Sequence, residues 1–171
     1  MTPRARARLG LALASAFGVA ALAVAAFATP RLRIVYNASD SVPVGWYRVE
    51  PAAALRAGDL VLTRLPADVA ELADQRGYLP ATVPLLKRIG AVSPQQVCVR
   101  GGIVRIDGVP AAVALRADRW QRPLPQWRQC RRLADGELFL LSTAHPASFD
   151  SRYYGPVPAA DVIGRARPWR Q

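Results

Sequence analysis

The longest hydrophobic run is "LGLALASAFGVAALAVAAFAT", residues 9–29, with no charge across its 21 positions. Roughly 20 helical residues cross a bilayer core, so the run predicts a membrane-spanning helix. A cleavable signal peptide is the rival, but its apolar region is usually about 7–15 residues and ends in a small-residue cleavage site. "AFATPRLR" fits such a site poorly, with Pro30 next in line, so an uncleaved anchor is expected. Arg4, Arg6 and Arg8 precede the run without an acid. That asymmetry puts the N-terminus in the cytoplasm and the rest of the chain across the membrane. The expected organisation is a basic cytoplasmic N-terminus (1–8), a transmembrane anchor (9–29) and a periplasmic domain (31–171) at a bacterial inner membrane.

Beyond the run the period changes from helical to alternating. "RLRIVYN" (31–37) predicts a strand, with Ile34 and Tyr36 on one face. "VPVGWYRVEP" predicts a bend and then a short strand. "RAGDLVLTRL" (56–65) predicts a Gly-Asp turn and a strand. "PADVAELADQRG" (66–77) has Pro66 at its start, acids in its first turns and Gly77 at its end, which predicts the one soluble helix. "PLLKRIGAV" reads as a buried strand. "QVCVRGGIVRIDGVPA" reads as a hairpin about Gly-Gly, followed by an Asp-Gly turn. Residues 115–132 are polar, Pro-rich and Trp-bearing, and read as an excursion outside the core. "GELFLLST" (136–143) and "DVIGRARPW" (161–169) predict two more strands. The domain is mostly β with one short helix.

Charge adds little. Of 23 basic residues three precede the span, so 20 (23 − 3) face all 12 acids and the domain carries +8 (20 − 12). The arginines are scattered, and no basic stripe interleaves with aromatics as in nucleic-acid binding. The charge reads as a solvated surface near anionic membrane lipid, with no nucleic-acid partner. Cys98 and Cys130 form no CxxC and no His/Cys cluster, so no metal or cofactor site is expected. In an oxidising compartment they form one disulfide.

Every basic residue except Lys87 is arginine. The bland reading is codon bias in an Arg-, Ala- and Pro-rich chain. The chemical reading is that a desolvated lysine can give up its proton near neutral pH and arginine cannot. His145, the sole histidine, sits in a Pro-flanked loop with no nucleophile elbow nearby, which disfavours a Ser-His-Asp triad. A Ser-Lys arrangement needs a serine at a bend, and "NASDSVPVGWY" (37–47) offers Ser39 and Ser41. On their own, these are also ordinary turn residues.

Taken together, the segments resemble the S26 signal peptidases, serine proteases with a Ser-Lys dyad and a signal-peptidase/LexA-like β fold. The lysine box appears as "KRIGAV", the Gly-Asp strand box as "GDLVL", and the C-terminal box as "SFDSRYYGPVP" (148–158), in the family's order behind an N-terminal anchor. "NASDSVPVGWYRV", "RGYLPATVPLLKRI", "RPLPQW" before Cys130 and "GELFLLS" resemble the conjugative-transfer, TraF-type branch. The resemblance implies Ser41 as nucleophile and Lys87 as general base. It implies Ser39 as a helper of the oxyanion hole, Ser148 as the residue orienting the lysine, and Asp150 and Arg152 as a supporting pair, with Asp150 important for activity in the conjugative branch. Leader peptidases carry Ser-Met-x-Pro where this chain has Ser-Val-Pro, so Ser41 fits the conjugative pattern and Ser39 is its rival. "STAHPA" replaces the Gly-Asp-Asn loop, a departure from general secretory peptidases. The implied activity is processing, and head-to-tail cyclisation, of a prepilin for type IV secretion. A housekeeping leader peptidase and an inactive structural subunit of the secretion channel are the alternatives.

Overall fold

The computed structural model describes residues 3–27 and 34–169. The chain divides into two units, residues 1–31 and 32–171. In the first, α1 (Pro3–Phe27) is one continuous helix with no acid in its first turn. Its stretch Pro3–Val24 is long and apolar enough to cross a membrane, with mean hydropathy 1.8. The end of the expected span, residues 28 and 29, lies outside the described residues, as does the start of the first expected strand, residues 31–33.

The second unit is built on two antiparallel sheets. The larger contains β1 (Ile34–Asn37), β2 (Gly45–Glu50), β3 (Leu60–Thr63), β4 (Leu85–Val92), β9 (Glu137–Leu140), β10 (Val157–Pro158) and β11 (Val162–Pro168). The smaller contains β5 (Gln96–Arg100), β6 (Ile103–Ile106), β7 (Val109–Val113) and β8 (Cys130–Arg132). Their orders are β1-β2-β11-β3-β4-β9-β10 and β7-β6-β5-β8. Helix α2 (Ala67–Gln75) joins β3 to β4, and a single turn, α3 (Ser151–Tyr154), precedes β10. The architecture is mostly β, as the alternating periods predict.

Burial explains the run that does not alternate. All four residues of β3 are buried, because the sheet is covered on both faces. Leu60 and Leu62 pack with Tyr47, Val49 and Leu86, while Val61 packs on the opposite side with Ile89, Leu140 and Val157. A strand covered on both faces reads as a continuous apolar stretch. Fully burying one such side chain contributes on the order of 1.5–3 kcal/mol.

The turns follow their chemistry. Gly101 and Gly102 both have positive φ, 59° and 79°, as do Asp107 and Gly108, 50° and 83°. These are the left-handed pairs that close tight hairpins. The second turn starts β7, an edge strand beyond the expected hairpin. Residues 115–132 are only partly the polar excursion expected. Leu124 and Trp127 are buried, and the segment leads into β8, paired with β5. Gly155 explains Trp127's place: at φ 86° a Cβ there would lie 2.6 Å from the indole. Only glycine allows that approach. Cys98 and Cys130, directly opposite on β5 and β8, are disulfide-bonded, as expected.

Candidate active site

Lys87 owes its setting to the strand it occupies. It lies opposite Val61 on β3, between Leu85 and Ile89 on the face that Val61, Leu140 and Val157 also fill. Its side chain is 2 % exposed. Burial is the main cause that brings its pKa down from 10.5 to about 8; Asp150 opposes the fall and Arg152 assists it. The Gly-Asp turn fixes β3 against β4. The Gly58 amide donates to the Ile89 carbonyl at 2.7 Å, and the Ile89 amide donates to the Asp59 carbonyl at 2.8 Å. The glycine of "KRIGAV" is required too, since a Cβ on Gly90 would meet Leu141 at 2.8 Å.

Ser39 and Ser41 lie on the bend between β1 and β2, held by Asn37. The buried Asn37 amide donates to the carbonyls of Ser39, Val42 and Pro43 at 2.7, 2.9 and 3.1 Å. Its Oδ1 accepts from the Ser39 amide at 3.2 Å and the Ser39 hydroxyl at 2.9 Å. Tyr47 Oη donates to the Pro43 carbonyl at 2.6 Å. Ser39 Oγ and Ser41 Oγ are 3.0 Å apart. With the Ser39 proton on Asn37, Ser41 is the donor between them.

The C-terminal box joins the two ends. Lys87 Nζ donates to Ser148 Oγ. The Asp150–Arg152 pair is fully buried, with Arg152 Nε 2.7 Å from Asp150 Oδ1. Arg152 donates further to the carbonyls of Val113 (2.7 Å), Pro146 (2.9 Å) and Ser148 (2.8 Å) and to Asp150 Oδ2 (2.9 Å). Asp150 Oδ2 also accepts the amide of Ser142 at 2.9 Å. The Ser142 hydroxyl donates to the Ser41 carbonyl at 2.7 Å. A continuous chain of bonds thus runs from the Ser41 backbone through Ser142, Asp150, Arg152 and Ser148 to Lys87.

Ser39, Ser41, Lys87 and Ser148 line one cavity of about 280 Å³. Ser41 and Lys87 each bond to a neighbouring serine and not to each other. In a site without substrate such contacts are often long and tighten on binding. A neutral amine beside a serine hydroxyl can accept its proton and make it a nucleophile. The sequence reading did not assign Asn37 or Ser142. Asn37 had a signal, an Asn before a bend, where such side chains bond nearby backbone. Ser142 had none, because its partner is 101 residues away. His145, read as a loop residue outside any triad, lines the same cavity.

The model of the family "Signal peptidase, peptidase S26" matches residues 6–170. A plasmid transfer protein TraF from Escherichia coli is 31% identical over 160 residues, covering 88% of this chain and 89% of that protein. A probable conjugal transfer protein TraF from Sinorhizobium fredii is 35% identical over 173 residues, covering 93% and 86%. A signal peptidase I structure from Enterococcus faecalis is 19% identical, with a TM-score of 0.41, over 68% of this chain and 98% of that one. The family model's span and the lengths of the matches to the two transfer proteins agree: the chain belongs to the S26 signal peptidase family, in its TraF-type conjugative-transfer branch.

Proposed function

We propose that the chain is a membrane-anchored serine endopeptidase that uses Ser41 and Lys87 as a dyad to process a prepilin of a conjugative type IV secretion apparatus. The observation that carries this reading is the buried Lys87 amine, lowered to about 8, in the cavity that also holds Ser41. At pH 7 about a tenth of such an amine is neutral and able to act as a base. Ser41 Oγ attacks the scissile carbonyl and Lys87 takes its proton. The ammonium then protonates the leaving amine, and an acyl-enzyme on Ser41 remains. The bonds from Lys87 Nζ to Ser148 Oγ and from the Ser142 hydroxyl to the Ser41 carbonyl restrict both groups. In this reading Ser39, whose Oγ lies 3.0 Å from Ser41 Oγ, assists the Ser41 amide in the oxyanion hole, a class of contact worth about 3–4 kcal/mol where it has been removed.

The anchor reading rests on α1 and its basic start. Exposed Ile34, Tyr36 and Trp46 on β1 and β2, with exposed Trp169 just after β11, suit a domain close to lipid headgroups, where aromatics concentrate. The disulfide suits the oxidising side of the inner membrane. Water or the pilin's own amino group can resolve the acyl-enzyme. The second closes a ring, favoured when the amine is held beside the ester.

The test is co-expression with a candidate conjugative prepilin, with the product weighed. Wild type gives a processed pilin, and Ser41→Ala or Lys87→Arg leaves it unprocessed while the domain still folds. A ring is one water, about 18 Da, lighter than the linear product. Substantial processing by Lys87→Arg would end the dyad, because arginine keeps the charge but cannot act as the base. A wild type that neither processes pilin nor reacts with a serine-directed acylating probe would leave a structural subunit of the apparatus.

A further inference from the structure

The cavity extends past Ser41 and Lys87 to a wall formed by Tyr78, Asp118, Arg119 and Trp120. Asp118 is saturated. Its Oδ1 accepts the amides of Trp120 and Arg122, each at 2.9 Å. Its Oδ2 accepts Tyr78 Oη at 2.5 Å and Arg122 Nε at 2.6 Å. A carboxylate offers about four lone-pair sites, so none is left for Arg119. The wall is also tied to the end of α2, where Arg122 Nη2 donates to the Arg76 carbonyl at 2.9 Å and Arg76 Nη1 to the Pro123 carbonyl at 2.8 Å.

Arg119 differs from its neighbours. Its guanidinium sits over the Trp120 ring, 3.8 Å from the centroid, and it has no carboxylate partner among the described residues. Trp120 is itself held, stacked on Tyr78 at 14° between planes and flanked by Arg122 at 4.5 Å. Arg119 is exposed, and Leu79, Leu115 and Leu124 line the same cavity. A guanidinium held on an aromatic face keeps its planar fork of donors available, and that fork matches a carboxylate. The anions an unmodified polypeptide carries are acidic side chains and its C-terminal carboxylate.

We propose that Arg119, held over Trp120, is a carboxylate-binding subsite of the cleft, reading one acidic group of the bound peptide. The inference rests on the reading of this cavity as the peptide-binding cleft. Arg119 is a specificity residue and takes no part in bond making.

The test uses the full chain in detergent carrying Ser41→Ala, so that nothing is cleaved. Three probes are titrated by ligand-observed NMR: acetyl-tetra-alanine with a free C-terminal carboxylate, the same peptide amidated, and an amidated peptide with Glu at its third position. Binding of at least one carboxylate peptide on the order of tenfold tighter than the neutral one is expected, the scale of a charge-assisted bond. Preference for the free acid assigns the C-terminal carboxylate, and preference for the Glu peptide assigns a side chain. Arg119→Ala should remove the preference and Arg119→Lys keep part of it. Arg128→Ala, outside the cavity lining, should leave it intact and so exclude a general effect of positive charge. Equal binding of all three probes, no binding at millimolar concentration, or a preference that survives Arg119→Ala overturns the proposal. Acylation of the wild-type chain by a serine-directed probe is measured in parallel. Selective binding without acylation removes the peptidase reading and keeps the subsite; acylation without selectivity does the reverse.

Discussion

Lys87→Met should stabilise the folded domain at neutral and mildly acidic pH while abolishing catalysis. Burying the amine lowers its pKa from 10.5 to about 8, a fall of 2.5 (10.5 − 8). At about 1.4 kcal/mol for each unit, the charged lysine destabilises the fold by about 3 kcal/mol. Methionine keeps the length and flexibility of the stem and removes the charge. It leaves the Ser148 hydroxyl without its Lys87 partner, a loss of about 1 kcal/mol. The net gain is roughly 2 kcal/mol, and for a domain of this size it raises Tm by about 5–10 °C.

The pH dependence is the sharper part. Between pH 8 and 10.5 the unfolded chain holds the Lys87 proton and the folded chain has released it. Wild-type stability therefore rises with pH across that window. Below it both states are protonated and the whole penalty remains. The advantage of Lys87→Met should be full at pH 6, shrink through the window and reverse slightly near its upper end, where only the loss of the Ser148 bond remains. Thermal unfolding of both proteins in one detergent, disulfide intact, measures the difference directly. An equal difference at pH 6 and pH 10, or a less stable variant at pH 6, would refute the argument that burial is the main cause of the lowered Lys87 pKa.

Turnover should climb about tenfold per pH unit below pH 8 and level off above it, as a base with the Lys87 pKa of about 8 is freed; a profile flat from pH 6 to 9 would exclude Lys87 as that base. His145→Ala should change kcat less than about threefold, since His145 bonds to neither Ser41 nor Lys87, and a large loss in steady-state assays would reopen the triad. Ser142→Ala should lower kcat about tenfold with KM unchanged if its bond to the Ser41 carbonyl positions Ser41 as the proposed nucleophile, and Ser142→Thr should restore part of it. Replacing Cys98 and Cys130 together by serine should lower stability by about 3–4 kcal/mol for a closed loop of 32 residues in the chain-entropy model. Denaturing alkylation of the wild type under non-reducing conditions should find no free thiol.

What could be read from the sequence was local. Alternation and short apolar runs located most strands of the larger sheet, and the Gly-Gly and Asp-Gly pairs located the hairpin turns. The helix at 67–75 carried its own start and stop signals. Lys87 stood out because it is chemically unlike every other basic residue in the chain. Long-range pairing was hidden. Trp127 looked like part of a polar loop, and its burial depends on the space Gly155 leaves 28 residues later (155 − 127). Strand β8 is three residues long, too short for a period to show. Ser142 resembled any strand-end serine until the fold brought the Ser41 carbonyl to it.

The buried Asp150–Arg152 pair carries the same point into energetics. A buried ion pair contributes little net stability, and well-packed apolar residues in its place are often as stable or more so. Stability is therefore a poor account of why this pair occupies the centre of the domain. Its geometry gives a better one. The guanidinium donors reach Val113, Pro146 and Ser148 as well as Asp150, so one side chain fixes the edge of the small sheet, the loop before the C-terminal box and the residue that holds Lys87. Asp150 fixes the Ser142 amide, and Ser142 fixes the carbonyl of Ser41. An apolar pair of equal volume could fill the space but could not bond these three segments to one another. The serine and the lysine come from segments 46 residues apart in sequence (87 − 41) and have no direct bond. Their mutual placement depends on a polar core that hydrophobic packing could not replace.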